Sequence, residues 1–257
     1  MTLPRVVSDE TLDALPESDP RAVRSRRDLR RVNRVIGTRG IASRALREME
    51  MPRRTEPLRV LEIGAGDGTQ LLDVARMLCD VWPPVALTLL DRQDLVEPAT
   101  IARYARFGWT ATSCVADVLQ WAASRTGPLL DGVAGGRWDL IVANLFLHHF
   151  DPVRLKALLA AVASRTDRFF ACEPLRSRFA LAGSHLIGAI GVNAVTREDA
   201  VLSVHAGFRD AEISSLWPAG EVGWRLDEYP AGLFSHCFCA ERSGPAARTA
   251  ADAVGSR

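Results

Sequence analysis

The chain has 257 residues, of which 47% are hydrophobic and 25% charged, so it is long and apolar enough for one large α/β domain with a well-buried core. It contains no run of eighteen apolar residues and no signal-peptide pattern at its start, so we expect a cytoplasmic protein without a membrane span. Its five cysteines lack paired spacing, so we expect neither a disulfide framework nor a metal site.

Charge is distributed unevenly along the chain although the formal net charge is only +1. Residues 1–20 contain five acids against one arginine, and residues 21–54 contain twelve arginines against three acids. Apolar residues in the basic stretch follow helical spacing until Gly37 and Gly40 interrupt it. We therefore predict two short basic helices within residues 21–49. They belong to an N-terminal segment, residues 1–55, that we expect to act as a lid.

Strand and helix patterns alternate through the middle of the chain. Runs of β-branched and apolar residues predict five buried strands, which begin at Leu58, Val85, Trp109, Trp138 and Arg168. Helical patterns separate them at residues 69–79, 95–107, 118–125 and 152–164. This alternation predicts a parallel sheet with helices on both faces.

The sequence near the end of the chain predicts antiparallel strands in place of parallel ones. Two further short strands, at residues 211–217 and 235–241, suit an antiparallel hairpin. Residues 126–136 are rich in glycine and predict a loop, and residues 243–257 are rich in Ala, Gly and Ser and predict a disordered tail.

The stretch VLEIGAGDG places Gly64, Gly66 and Gly68 directly after the first strand and before a helix. Such a turn brings backbone N–H groups and a positive helix end to the carboxyl edge of the sheet, where open α/β sheets bind ligands. The GxGxxG fingerprint of NAD-binding proteins would need its third glycine at Thr69, so the spacing disfavours NAD. A tight turn without a ligand is the alternative.

Polar side chains follow the next three predicted strands. Asp91 ends the second strand, where a carboxylate can accept two hydrogen bonds from a ribose diol. Asp117 and Val118 follow the third strand, an arrangement that suits an adenine amino group and ring. Asn144 follows the fourth strand. These positions together predict a nucleotide-like ligand at one edge of the sheet.

The joint pattern resembles class I S-adenosylmethionine (SAM)-dependent methyltransferases over roughly residues 58–241. The resemblance implies a three-layer, Rossmann-like α/β fold in residues 56–242. Its seven-stranded, mostly parallel sheet would have the order 3-2-1-4-5-7-6 with the last strand antiparallel. It also implies that the cofactor is SAM and that the product is S-adenosylhomocysteine (SAH).

The resemblance assigns a role to each matching residue. Glu62 and the glycines would hold the methionine portion of SAM, Asp91 the ribose, Asp117 and Val118 the adenine, and Asn144 the methionine side near the transferred methyl. The full implied cofactor-binding set is Glu62, Gly64, Ala65, Gly66, Gly68, Asp91, Arg92, Asp117, Val118 and Asn144.

In methyl transfer from a sulfonium, the protein mainly aligns the acceptor with the methyl group. It also supplies a base where the acceptor must lose a proton. His148 and His149 lie just beyond Asn144, and Glu173 ends the fifth strand, so these three are the candidate catalytic residues. A histidine that caps or packs under a helix is an equally good interpretation of either ring.

The acceptor is the least specified partner. Residues 175–206 form an apolar insertion after the fifth strand, which favours a lipophilic or aromatic small molecule, methylated on oxygen or on carbon or nitrogen. The insertion and the HHF sequence are similar, more loosely, to bacterial methyltransferases of quinone and polyketide metabolism. We expect a monomer or a homodimer.

Two other classes of function stay open. The arginine-rich segment would suit an RNA methyltransferase, since arginines neutralise phosphates. The NLFL sequence after the fourth strand lacks the NPPY or DPPY pattern of amino-methylating nucleic-acid enzymes, so binding to nucleic acid is disfavoured. A non-catalytic protein that binds SAM is the second alternative.

Overall fold

A computed structural model describes residues 3–52, 55–124, 137–218 and 223–242. Within them one sheet has the order β3-β2-β1-β4-β5-β7-β6. Its strands are β1 (Leu58–Ile63), β2 (Val85–Asp91), β3 (Trp109–Val115), β4 (Leu140–Asn144), β5 (Arg168–Pro174), β6 (Trp224–Ala231) and β7 (Ser235–Arg242). The first five strands pair in parallel, and β7 is antiparallel to both of its neighbours. The predicted strand order is confirmed.

Helices precede the sheet and connect its strands. They are α1 (Thr11–Ala14), α2 (Pro20–Ile36), α3 (Thr38–Glu48), α4 (Thr69–Leu78), α5 (Pro98–Ala105), α6 (Val118–Ala123), α7 (Pro152–Arg165), α8 (Arg178–Leu186) and α9 (Ala194–Ala206). The four helical patterns predicted between the strands correspond to α4 to α7, and the apolar insertion forms α8 and α9. None of the helices in these described ranges is both long and apolar enough to cross a membrane.

Alternation along the strands divides the core into two layers. Phe170 and Cys172 of β5 face a layer shared with α3, α4 and α5, while Phe169 and Ala171 face a layer shared with α6 and α7. The same alternation places Cys237 with the first layer and Phe238 with the second. This two-sided burial explains why the strands have nearly continuous apolar sequences.

The two predicted basic helices form, and their ends have local causes. Asp19 caps the start of α2 and Pro20 occupies its first turn, whereas Gly37 ends it with a left-handed φ of 82°. Helix α3 packs against α4 and β5, and its residues Ala42 and Leu46 are fully buried in the first layer. Helix α3 is therefore part of the core. The prediction that the N-terminal segment acts as a lid then concerns only the residues that precede α3.

One predicted strand is wrong. Residues 211–217 form turns and a 3₁₀ helix at Ser214–Leu216, whose Ile213 and Trp217 side chains fill the second core layer. A carboxylate from β6, Glu228, accepts hydrogen bonds from the backbone N–H groups of Ile213 and Ser214. The sixth strand instead is Trp224–Ala231, an edge strand that is largely exposed and therefore polar in sequence. The predicted loop at 126–136 and the tail at 243–257 lie outside the described residues.

Candidate active site

The glycine turn lies between β1 and α4 at the carboxyl edge of the sheet. Gly64, Gly66 and Gly68 all have positive φ, at 68°, 54° and 70°, which only glycine adopts without strain. A Cβ at Gly64 would lie 2.2 Å from the ring of Phe146, whereas a Cβ at Gly66 would meet nothing within 4 Å. The turn is therefore packed at Gly64 and open at Gly66, where a ligand can approach the backbone.

Two buried polar side chains meet beneath this turn. The Asn144 Nδ2 group donates to Glu62 Oε1 at 3.1 Å, and both residues are less than 10% exposed. Each residue also has a buried oxygen without a hydrogen-bond partner among the described residues. These oxygens are Glu62 Oε2 and Asn144 Oδ1. Burial raises the pKa of Glu62 to about 8, and the nearby Asp67 and Asp91 charges add to the rise. Two orphaned acceptors of this kind fit a ligand that brings N–H donors and positive charge.

Asp91 and Arg92 lie beside the turn at the end of β2. The Asp91 carboxylate accepts hydrogen bonds from the N–H groups of Gly66, at 2.8 Å, and Gln93, at 3.0 Å. Arg92 donates to the carbonyl oxygen of Asp13 at 2.6 Å and forms an ion pair with its carboxylate. Asp91 is therefore placed at the predicted ligand edge, while the Arg92 guanidinium is engaged by the N-terminal segment.

Asp117 and Val118 have local structural roles. Asp117 Oδ1 caps α6 by accepting from the N–H groups of Leu119 and Gln120, and the side chain is exposed. Val118 is buried in the second core layer. Their predicted adenine contacts stay predictions, with Asp117 Oδ2 as the oxygen that the cap does not use.

The turn after β4 has a strained backbone that Glu173 holds in place. Leu145 has a φ of 53°, which is uncommon for a residue other than glycine. The buried Glu173 carboxylate accepts hydrogen bonds from the N–H groups of Phe146 and Leu147 through Oε1, and from that of His148 through Oε2. The fixed turn places Phe146 against Gly64 and both histidines at the same edge of the sheet.

His148 is buried between two carboxylates. Its Nδ1 lies 2.7 Å from Glu173 Oε2, and its Nε2 lies 3.4 Å from Glu10 Oε1. Burial alone would lower the pKa of His148, but the contacts with Glu10 and Glu173 outweigh it and raise the pKa to about 9. His148 is therefore protonated at neutral pH and has no lone pair with which to accept a proton.

This raised pKa predicts how stability changes with pH. A histidine whose pKa rises from 6.5 to about 9 on folding stabilises the protein fully below pH 6.5, and that contribution, about 3 kcal/mol, is lost as the pH rises through 9. Glu62, whose pKa rises from 4.5 to about 8, acts in the same direction. We expect the free energy of unfolding, measured with urea, to fall between about pH 6.5 and about pH 9. A free energy of unfolding that stays constant or rises over this range would contradict the raised pKa values of His148 and Glu62.

His149 has a different environment. Its side chain is 22% exposed, and its Nδ1 lies 3.4 Å from Asp13 Oδ2. Burial and the neighbouring charge of His148 lower the pKa of His149, so its ring is neutral near pH 7. The rings of His149 and Phe146 have centroids 6.3 Å apart, so His149 is separated from the glycine turn by one aromatic ring.

The N-terminal strap, residues 3–19, covers these histidines. It is held to α9 by the N–H groups of Thr11 and Leu12, which donate to the Asp199 carboxylate. At its far end Glu17 accepts from the N–H of Asp94, in the loop after β2. The strap thus crosses the site from the insertion to the loop beside Asp91.

Within the described ranges, five of the ten arginines of α2 and α3 pair with acids of the same chain. Arg24 and Arg31 contact Asp28, Arg30 contacts Asp67, and Arg39 contacts Asp73. Exposed ion pairs of this kind stabilise a fold only slightly, but they do occupy the guanidinium groups. This arrangement supports a structural use of the basic segment over binding of phosphates.

Glu10 is the site residue that sequence reasoning missed. It lies in an acidic N-terminal stretch with no motif around it, and only the fold brings it to His148. Burial opposes ionisation of Glu10, yet its hydrogen bond and charge interaction with His148 lower its pKa. Its hydrogen bond from Ser203 fixes the carboxylate further.

Comparisons with known proteins give matches only at the level of structure. No protein-family model and no curated protein matches the sequence. The plantazolicin methyltransferase BpumL in complex with SAH gives a TM-score of 0.58 at 13% identity, and the match covers 88% of this chain and 92% of that chain. An O-methyltransferase family protein from Burkholderia thailandensis gives 0.56 at 15% identity, over 90% of this chain and 64% of that chain.

A third solved structure agrees with these two. The plantazolicin methyltransferase BamL, in complex with a triazolic desmethylPZN analog and SAH, gives a TM-score of 0.55 at 15% identity over 90% of this chain and 93% of that chain. At such identities the likeness establishes the fold. Together with the strand order, it shows that the chain has the Rossmann-like fold of class I methyltransferases.

Proposed function

We propose that the protein is a SAM-dependent methyltransferase that methylates an oxygen, or a carbon or nitrogen, of a lipophilic or aromatic small molecule. The observation that carries the proposal is the pair of orphaned acceptors, Glu62 Oε2 and Asn144 Oδ1, buried beside the open turn at Gly66. The ammonium group of a methionine moiety offers the donors and the positive charge that these atoms lack. The fold supports this assignment, since the similar solved structures are methyltransferases.

The chain's own residues would hold and orient the cofactor, which when bound supplies a sulfonium methyl as the electrophile. Glu62 and Asn144 would bind the ammonium group, and the Gly66 backbone would border the methionine portion. The Asp91 carboxylate, already fixed by two N–H groups, would accept from the ribose hydroxyls. Phe146 would form an apolar wall between the glycine turn and His149.

The surface of the insertion supports a lipophilic acceptor. Phe179, Leu186 and Ile190 are 58%, 70% and 43% exposed, although they are large apolar side chains on one short segment after β5. Exposed apolar side chains on the segment that follows β5 favour binding of an apolar partner. The strap lies over the same edge and would exclude water from the acceptor.

Alignment would account for most of the rate, and of the two candidate histidines His149 is better suited to act as a base. His148 already carries its proton at neutral pH and is held by Glu10 and Glu173. His149 is neutral and partly exposed, so it is the candidate to accept a proton from an acceptor hydroxyl.

Replacing Gly66 with leucine tests the cofactor site. A side chain at Gly66 would project into the open space through which the methionine portion must approach, so we expect no measurable SAM binding by calorimetry. Gly108→Leu is the matched control, because Gly108 also has a positive φ, 75°, with nothing within 4 Å of a Cβ, but precedes β3 at the opposite edge of the sheet.

Both variants carry a similar backbone strain of about 1–2 kcal/mol, so only loss of space at the site distinguishes them. Gly108→Leu should bind SAM as the wild type does. Equal affinity in the two variants, or absence of binding by the wild-type protein, would refute the proposed function.

A further inference from the structure

Three potential metal ligands converge under the N-terminal strap. Glu10, His148 and His149 each offer one ligand atom, and these atoms all lie within 4.8 Å of one another. Glu10 Oε1 and His148 Nε2 are 3.4 Å apart, close to the separation of about 3 Å between two ligand atoms around a tetrahedral zinc ion. Only small side-chain movements would bring the three atoms around one ion.

The surrounding contacts orient the ligands as they do in metal sites. The Glu173 carboxylate engages His148 Nδ1 at 2.7 Å, which leaves Nε2 directed at Glu10. Ligating histidines in proteins usually donate their other ring nitrogen to a carboxylate in this way, which fixes the tautomer and the ring orientation. Ser203 Oγ donates to the Glu10 carboxylate, and Asp13 Oδ2 lies 3.4 Å from His149 Nδ1, so each of these two ligands also has a polar neighbour.

From this geometry we infer that Glu10, His148 and His149 form a binding site for a divalent transition-metal ion, with the strap supplying the carboxylate ligand. Two imidazoles with one carboxylate suit Zn²⁺, Co²⁺ or Fe²⁺, whereas Mg²⁺ and Ca²⁺ prefer sites made of oxygen ligands alone. Three protein ligands leave at least one coordination position for water or another oxygen ligand. Because a ligating imidazole must be neutral, the ion would displace the proton from His148 Nε2 to solvent, and binding would strengthen as the pH rises.

The site would have a defined structural consequence. Because Glu10 belongs to the strap and the histidines to the turn after β4, the ion would tie residues 3–19 to the edge of the sheet. It would also give His149 the role of a ligand in place of that of a base. The inference does not depend on the proposed function, because ion binding is measured on the protein without SAM.

Cobalt binding tests the site directly. The wild-type protein, freed of metal with a chelator and dialysed, is titrated with Co²⁺ while visible d–d absorption is recorded, and the bound ion is counted by elemental analysis. We expect one Co²⁺ per chain with a spectrum of low-symmetry nitrogen and oxygen coordination, displaced by Zn²⁺ and not by Mg²⁺. Glu10→Gln and His149→Ala should each weaken binding at least about tenfold.

Two control variants separate ligation from other causes. Glu17→Gln removes a carboxylate charge elsewhere on the strap without touching the three ligands, and His185→Ala removes an exposed histidine on α8. Both should bind Co²⁺ as the wild type does. The inference would be overturned by an absence of saturable binding, by binding that Glu10→Gln and His149→Ala leave intact, or by an equal loss of binding in Glu17→Gln. The cluster would then be a network of ion pairs and hydrogen bonds that holds a proton and no metal ion.

Discussion

Replacing Glu173 with glutamine should lower the free energy of unfolding by about 3–5 kcal/mol. The fully buried carboxylate accepts hydrogen bonds from three backbone N–H groups of residues 146–148 and contacts His148 Nδ1. A glutamine of the same shape would direct an N–H group at some of these donors and leave the buried His148 charge without one of its partners. Urea unfolding followed by tryptophan fluorescence measures the loss.

A second buried carboxylate provides the matched control. Glu228 accepts from the N–H groups of Ile213 and Ser214 and lies 2.8 Å from His236 Nε2, so its environment resembles that of Glu173 away from the site. Glu228→Gln should also destabilise the protein, but it should leave the NMR titration of His148 unchanged. In Glu173→Gln the pKa of His148 should fall below its wild-type value of about 9.

The two readouts together decide what Glu173 does. A stability loss below about 1 kcal/mol in Glu173→Gln would show that the turn after β4 does not depend on this carboxylate. An unchanged His148 titration would show that Glu10 alone holds the proton. Either result would remove Glu173 from the support of the site.

Local sequence was sufficient to predict the five parallel strands and the edge of the sheet at which their polar ends meet. Each parallel strand ends in a short polar stretch that the strand itself positions, so Glu62, Asp91 and Asn144 could be placed at one edge without knowledge of long-range contacts. The glycine spacing likewise follows from the local backbone, as the positive φ values at Gly64 and Gly66 show.

Contacts between segments that are distant in the sequence could not be predicted from local sequence patterns. The meeting of Glu10 with His148 depends on the strap crossing from α9 to the loop after β2, and nothing near Glu10 in the sequence signals it. The edge strand β6 was missed for a related reason. Only one side of it is paired, so its sequence is polar, whereas residues 211–217 are apolar because they fill the core from a turn.

Replacing Glu62 with glutamine should weaken SAM binding about tenfold to a hundredfold, which corresponds to the loss of one charge-assisted hydrogen bond of about 1.5–3 kcal/mol. The wild-type protein should also release close to one proton when it binds SAM at pH 7. In the ligand-free protein the pKa of Glu62, about 8, keeps this carboxyl protonated, and a bound ammonium group would favour its ionised form. Calorimetry in buffers of different ionisation enthalpy counts the protons, and the affinity should rise with pH up to about 8.

Glu62→Gln should abolish both the proton release and this pH dependence while leaving the fold intact. Because the glutamine amide never ionises, the variant avoids the cost of burying a carboxylate and should be at least as stable as the wild type above about pH 8. Weaker binding by a protein of equal or greater stability can therefore be attributed to the lost charge and not to unfolding. Wild-type binding without proton release, or unchanged affinity in Glu62→Gln, would show that the orphaned acceptors Glu62 Oε2 and Asn144 Oδ1 do not receive the ammonium group.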